Sequence, residues 1–534
     1  MGDDDEAGQF KLTKDGRVYN KGKRIYPNGD VYEGEFVESM RHGNGAMRFH
    51  TGDRYDGEFE LNLYHGYGVY VWVLKVDEHD NIIPGERYDG YWKDGKFAGQ
   101  GIYLMGSGDV YTGYFKAGLY EGKGTLKLKT GDSYVGSWCR GLPSGAMSIS
   151  YANGDKYDGA LTQGKFNGQG KYTFSNDLGW YEGGWELGKY DGQGVRFYAN
   201  GTKYVGSFSE GQIEGEGMMF FVHGDQYLGS WKRGQMEGRG VYKYAFGDAY
   251  EGSFLNGMPY GEGKLLYKDG GYYLGEFRNL VHLHKHKVEG ASRLPKCDGW
   301  RHGFGVRVWT NGLRYEGQWV EDKMHGTGAV TNRQGAKYEG QFYNGLKTGE
   351  AKEQFGNLLG IPFDCPLGYK HNGTGHCHYA GVYRGGMFHG HGVFTCQQGP
   401  WYKGNWNGGK RDGQGEMYYL KEGELGDLAR QCISGVGSMY RAKGFAGTWE
   451  ADQRNGHGVL TYTSGDTLTG HFLHGQPQGV AMYAFESTAK VDAKGKRQVR
   501  KRGARFERGY RVEWLDDKTA AMKLFRAFDG LGLE

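Results

Sequence analysis

The residues of this 534-residue chain best suited to hold a metal are its six cysteines and eighteen histidines. Two stretches gather them: His282, His284 and His286 with Cys297, and His376, Cys377 and His378. A zinc ion needs several such donors at ~2 Å from one point. Neither stretch has the Cys-x-x-Cys spacing that would prepare that geometry, so pH-sensitive polar loops are expected and no metal. Other histidines recur at His42, His65, His302, His325 and His389, each just before a glycine. These are expected to serve turns. Carboxylates recur as well, at Glu33, Asp56, Asp89, Asp158, Glu182, Glu251, Glu316 and Glu339. Successive repeats would set them ~10 Å apart, near or beyond the upper limit for an inverting glycosidase pair, so a solvated acidic stripe is expected. The chain has no Gly-x4-Gly-Lys-Ser/Thr loop, no Gly-x-Ser-x-Gly elbow and no His-Glu-x-x-His. Gly-x-Gly occurs too often to point to a dinucleotide. We expect no enzyme and no cofactor.

Composition narrows the class. Glycine contributes 101 residues, while tyrosine, phenylalanine and tryptophan contribute 42, 27 and 13. Glycine at this level without order would mean a low-complexity chain, but disordered chains are poor in aromatics. Nine prolines and no glycine at every third position exclude collagen. No apolar run is long enough for a transmembrane helix. The start, Met1-Gly2-Asp3-Asp4-Asp5-Glu6, is acidic and resembles neither a secretory signal nor a transit peptide, and Glu6 breaks a myristoylation signal. The cysteines show no framework spacing, which fits a reducing, cytoplasmic setting. A net charge of +3 gives no reason to expect nucleic acid.

A repeat explains glycine and aromatics together. Tyr-x-Gly-x-Phe/Trp begins at Tyr32, Tyr55, Tyr88, Tyr111, Tyr134, Tyr157, Tyr181, Tyr204, Tyr227, Tyr250, Tyr273, Tyr315, Tyr338, Tyr379 and Tyr402, with looser copies at Phe445 and Leu468. Of the 16 gaps, 11 are 23 residues long. Gly-x-Gly follows 11 residues after the tyrosine, as at Gly43/Gly45, and is incomplete at Met147, Ala351 and Ala481. Asn-Gly-Asp or Thr-Gly-Asp closes the unit. Tyr, Gly and Phe/Trp at i, i+2 and i+4 share one face of a strand, as do the two glycines of Gly-x-Gly. The closing tripeptide supplies the positive φ of a tight turn. Each unit is thus a β-hairpin, in which glycine makes room for a ring from a neighbouring strand. One hairpin cannot stand alone, so the hairpins must stack.

This pattern resembles the MORN repeat, over about residues 16–485. The resemblance implies an all-β, elongated solenoid of about 17 stacked antiparallel hairpins. It also implies non-catalytic work in ciliary and cytoskeletal scaffolds such as radial spoke heads, or at membrane–cytoskeleton junctions. Some members of the family are linked to phosphoinositides.

The expected organisation is an acidic N-terminus and partial capping unit (1–27), then regular repeats with one insertion near 75–87 (28–277). Repeats interrupted near 278–301, 354–378 and 420–442 follow (278–485), then a basic segment (486–515) and a C-terminal amphipathic helix (516–534). From Tyr315 the units pair into a super-repeat with a loop each time, and such loops suit partner contact. Between Lys490 and Arg511 stand ten basic and two acidic residues. Lys496, Arg497, Arg500, Lys501, Arg502 and Arg505 are the candidate contact for an acidic partner such as the tails of tubulin, with anionic lipid as the alternative. Leu524, Phe525 and Phe528 form the apolar stripe of the helix, the candidate end cap. Trp138, Trp185, Trp231 and Trp319 are the candidate lining of a protein-binding trough, set against the reading that they fill the sheet's own interior. Open end strands would allow self-association.

Overall fold

The structure, a computed structural model, describes residues 11–12, 17–73, 75–76, 82–83, 85–278, 301–356, 367, 377–397, 399–419, 442–492, 495 and 497–515. It is all-β: forty strands, with no helix among the described residues. The expected C-terminal helix with Leu524, Phe525 and Phe528 lies outside the described residues. The chain divides into two compact units, residues 1–245 with 254–257 and residues 246–253 with 258–534. In the first, consecutive strands of the hairpin array from Val18–Ile25 to Gln235–Lys243 pair antiparallel. In the second, consecutive strands pair in the same way from Met258–Leu266 to Tyr510–Leu515.

Two kinds of turn alternate. Strands Val31–Val37 and Met40–Arg48 are joined through Glu38 and Ser39, at φ 52° and 64°, the paired positive values of a type I′ hairpin. The next connection is a three-residue turn closed by Gly52 at φ 91°, whose N–H donates to Phe49 O at 2.8 Å. The closing Thr-Gly-Asp therefore does what its sequence predicts.

Inside the strands, each repeat tyrosine lies flat along its own backbone. A Cβ added to Gly34 would sit 2.5 Å from Tyr32 Oη and 2.6 Å from Gly45 Cα. A Cβ on Gly45 would sit 2.5 Å from the Tyr32 ring. The ring over Gly45 thus comes from the neighbouring strand, as expected, while the ring over Gly34 comes from that glycine's own strand, two residues earlier. Tyr32 Oη donates to Glu35 O at 2.9 Å, a contact repeated by Tyr227 on Ser230 O and Tyr402 on Asn405 O. The two glycines of Gly-x-Gly do not share a face. Gly43 has φ +63°, the pairing slips beside it, and a Cβ there would run into Glu35 on the opposite face.

The rings form a continuous interior within each unit. Tyr32 meets Phe36 edge-on at 4.9 Å and Phe59 of the following repeat at 5.1 Å. A third ring stacks on the tyrosine, as Tyr120 does on Tyr111 at 3.8 Å. Burial pushes the phenols up, Tyr120 and Tyr151 to about 12. One repeat breaks the pattern instructively. Met147 replaces a glycine, its sulfur occupies the space over Gly136, and Tyr134 is only half-buried.

Insertions replace turns without disturbing pairing. Tyr70 faces Tyr88, Gly275 faces Gly305, Ala351 faces Gly381 and Gly415 faces Gly447 across the four of them. The basic segment is not a loop. Arg497–Glu507 pairs with the 16-residue strand Gln476–Val491 and with Tyr510–Leu515. It is a degenerate further repeat, with Arg502, Ala504 and Phe506 in the Tyr, Gly and Phe positions. Its reading frame was hidden because the tyrosine and the glycine are both replaced. Cys377 and Cys396, 19 residues apart, face each other across two strands and form a disulfide. The cysteine spacing did not foretell this, because strand register and not sequence distance brings them together.

Gly240 tests the packing rule, since a Cβ there would lie 2.5 Å from Tyr227 Oη. Gly240→Val is expected to lower stability by more than about 2 kcal/mol, read from the urea midpoint. Gly22→Ala, where a Cβ meets nothing within 4 Å, is expected to leave that midpoint unchanged.

Candidate protein-binding surfaces

The four candidate tryptophans point inward. Trp138, Trp185, Trp231 and Trp319 are 4%, 6%, 6% and 2% exposed. Each indole N–H donates to the carbonyl of a Gly-x-Gly glycine in the preceding repeat: Gly124, Gly170, Gly217 and Gly305, at 3.1–3.2 Å. The ring thus fills the interior and fastens one repeat to the next. Surface for a partner has to come from the outer face, which carries the residues between the ring-face positions.

That face holds a groove of about 850 Å³ in the first unit. It runs across seven strands, from Lys96–Leu104 to Lys165–Thr173. Its floor is Gly113, Gly124, Gly136 and Gly159, and its walls include Tyr114, Val135, Ala146 and Ala160. Small side chains at Ala146 and Ala160 leave it open, where other repeats place Tyr67 or Glu216 and Glu58, Tyr91 or Gln318. Three tyrosines lead into it on the same face. Tyr67, Tyr91 and Tyr114 are 48%, 51% and 47% exposed, and the Tyr67 and Tyr91 rings meet edge-on at 5.7 Å. Tyr67 Oη also bonds to Asp89. Sequence reasoning missed this groove, because it followed the conserved-looking ring positions and not the variable residues between them. The signal available was the change from Glu58 and Tyr91 to Ala160 at one fixed position of the repeat.

The carboxylate stripe lies on this outer face. Asp56 pairs with Arg54 and Glu316 with Arg314, each two residues back on the same strand. The repeating histidines sit at the slip in pairing within strands, not in turns. No group of three or more His, Cys, Asp or Glu among the described residues is placed to hold a metal. His282, His284, His286, Cys297 and His376 lie outside the described residues.

The turns are laced by carboxylates. Asp30 Oδ1 accepts the His50 N–H at 2.8 Å, Asp109 that of Lys129 at 2.8 Å and Asp155 that of Ser175 at 2.6 Å, each in the next repeat. This explains the aspartate of the closing tripeptide, for which the sequence offered only a turn. The main-chain N–H bonds hold the three carboxyls below the usual aspartate range.

At the C-terminal end, the basic candidates separate. Arg500 and Lys501 are exposed. Arg497 lies 3.9 Å from Glu486, and Arg505 lies 3.6 Å from Glu507 and 3.7 Å from Glu513. Arg502 stacks on Trp514 at 4.6 Å. Lys496 lies outside the described residues.

Comparison with protein-family models matches the MORN repeat over residues 32–54, 55–73, 88–110, 111–133, 157–178, 181–203, 204–226, 227–248, 250–272, 298–314, 315–331, 338–358, 379–400, 402–419 and 445–467. Together these cover more than half of the chain. Among curated proteins, Alsin of Homo sapiens is 29% identical over 170 residues, and Alsin of Mus musculus 30%. The match takes in 30% of this chain and only 9% of Alsin. Among solved structures, the TCP domain of SAS-4 from Drosophila melanogaster, in complex with a proline-rich motif of Ana2, aligns at TM-score 0.20. That match has 14% identity over 29% of this chain and 83% of that one. A mutant TCP10 domain of Danio rerio CPAP aligns at 0.15, with 10% identity over 50% and 94%. Such scores carry no argument.

The turn carboxylates predict an acid dependence. The folded chain holds them ionised, so their contribution is complete above the unfolded value of ~3.9 and is lost as pH falls through their lowered folded values. The thermal midpoint is expected to fall below about pH 4. The fall is expected to be smaller in a variant carrying Asp30→Asn, Asp109→Asn and Asp155→Asn, measured by circular dichroism.

Proposed function

The chain belongs to the MORN-repeat proteins, and on that premise we propose that it is a non-enzymatic scaffold that seats a segment of another protein in its outer-face groove. The open groove carries this reading. Six strand spacings of ~4.8 Å span roughly 29 Å, enough for a helix of ~19 residues or ~9 residues of extended chain. Exposed tyrosines beside an apolar floor suit a protein partner, because they bury much area with few rotors. The assembly we assign it to is the ciliary or flagellar axoneme. Its support is the MORN repeat, which the sequence resemblance links to scaffolds of that kind, and the fit of tubulin's acidic tails to Arg500 and Lys501. A second reading, a peripheral adaptor on anionic phospholipid, rests on the same two exposed cations.

The test is the tagged protein in its own cells. Val135→Glu with Ala146→Glu puts two charges on exposed groove positions without touching the ring interior. Loss of at least ~10-fold of the recovered partner is expected in that variant, with the partner retained but axonemal labelling weakened in Arg500→Ala/Lys501→Ala. Equal recovery from the wild type and the groove variant would overturn the groove. Plasma-membrane labelling, with salt-sensitive binding to anionic vesicles lost in Arg500→Ala/Lys501→Ala, would replace the scaffold with the adaptor.

A further inference from the structure

Two repeats show how a turn aspartate is used in full. Asp155 Oδ1 accepts the Ser175 N–H, and its Oδ2 accepts Tyr172 Oη–H at 2.7 Å. Asp225 does the same with the Ala245 N–H at 2.8 Å and Tyr242 Oη–H at 2.7 Å. The carboxylate bridges a turn amide of the next repeat and a side chain of the interior row. In the repeat that begins at Tyr273, Gly271 stands where the aspartate would. The strand register sets Thr310 where Ser175 and Ala245 stand, and Arg307, paired with Tyr273, where Tyr172 and Tyr242 stand.

Arg307 is an unusual interior residue. Its row elsewhere carries Met47, Ile149, Met219, Leu265 and Met417, all buried. Arg307 is 6% exposed, with its guanidinium carbon 3.5 Å from the Tyr267 ring centroid and 5.4 Å from that of Trp309. Its Nε and Nη1 are buried with no hydrogen-bond partner among the described residues. A buried guanidinium with unmade bonds is costly, and arginine does not escape the cost by losing its proton. The two carboxylates whose field reaches it are already engaged by turn amides: Asp269 by the Gly271 N–H and Asp248 by the Lys268 N–H, both at 2.8 Å. A second guanidinium adds positive charge, as Arg333 Nη2 donates to Thr310 O at 3.2 Å. Arg196 gives the contrast. It too faces a glycine, Gly179, in the aspartate position, but its Nη1 is satisfied by Phe197 O at 3.0 Å.

We propose that Arg307 and the main-chain N–H of Thr310 bind an oxyanion, a carboxylate or phosphate group from outside the chain, in the place a turn aspartate fills in other repeats. A Cβ on Gly271 would lie 3.5 Å from Arg307 Nη2, with Val308 O at 3.0 Å and Asp269 Oδ1 at 3.1 Å, so an acid group entering there reaches the guanidinium beside two oxygens that the positive charge has to offset. Trp309 and Tyr267 wall the site with rings, which hold the guanidinium plane in place. The ligand completes a bond pattern the fold uses elsewhere.

The experiment is thermal unfolding of the full chain in inorganic phosphate and, in a separate arm, acetate, each against chloride at matched ionic strength. A rise of about 2–4 °C is expected for the wild type at saturation. Arg307→Met, which installs the residue native to positions 47, 219 and 417, is expected to abolish the rise. Gly271→Asp supplies a tethered carboxylate and is expected to begin at a higher midpoint and respond no further. A rise with both anions assigns the site to carboxylates as well, including an acidic side chain of a partner; a rise with phosphate alone assigns it to phosphate groups. No rise in the wild type, or a rise of the same size in Arg307→Met, overturns the proposal. If Arg307→Met fails to fold, an undiminished response in Gly271→Asp overturns it equally.

Discussion

Most repeats depend on one contact: a tyrosine ring laid over two glycines, its own strand's and the next strand's, with its hydroxyl on a carbonyl three residues ahead. Glycine inside a strand normally weakens it, since it packs nothing and loses much entropy. Here the missing side chains are the binding site for the ring, and the ring covers the backbone the glycines leave bare. Neither partner is stable in a strand pair without the other. Met147 shows the rule by breaking it: one side chain over Gly136, and Tyr134 gives up its buried position.

From that contact the connections between repeats follow. A ring seated on its own hairpin presents an edge to the next, so Tyr32 meets Phe59 as it meets Phe36. Where the second ring is tryptophan, the indole N–H takes a glycine carbonyl of the preceding repeat. The turns add a second set of ties through their aspartates. Most of these ties join neighbours in sequence, so cohesion within each unit is a sum of similar local terms. Such an arrangement tolerates a loop in place of any turn, which is why four insertions leave strand register intact.

The same contact divides labour between faces. Rings consume the inner face, leaving little of it for recognition. The outer face is free to vary from repeat to repeat, because its side chains do not touch the ring stack. Glutamate, tyrosine, alanine and serine therefore alternate at equivalent positions, and a groove opens where small residues fall in successive repeats. Where the interior itself departs from apolar residues, as at Arg307, the departure coincides with a lost turn aspartate, which ties the two positions into one site.

Period and residue type at fixed positions were enough to determine the repeat, its strands and the place of its glycine-closed turns, because these follow from interactions between residues near in sequence. The same information gave the basic cluster but not its conformation, since Arg502 and Ala504 replace the residues that mark the frame. Which strand supplies the ring over each glycine, which way Trp138 and its counterparts face, and that Cys377 meets Cys396 were decided only by tertiary structure. The outer groove and the unpaired Arg307 belong to that second group. Both arise from side chains on different strands brought together by register, and a slip of a single residue would send each of them to the other face.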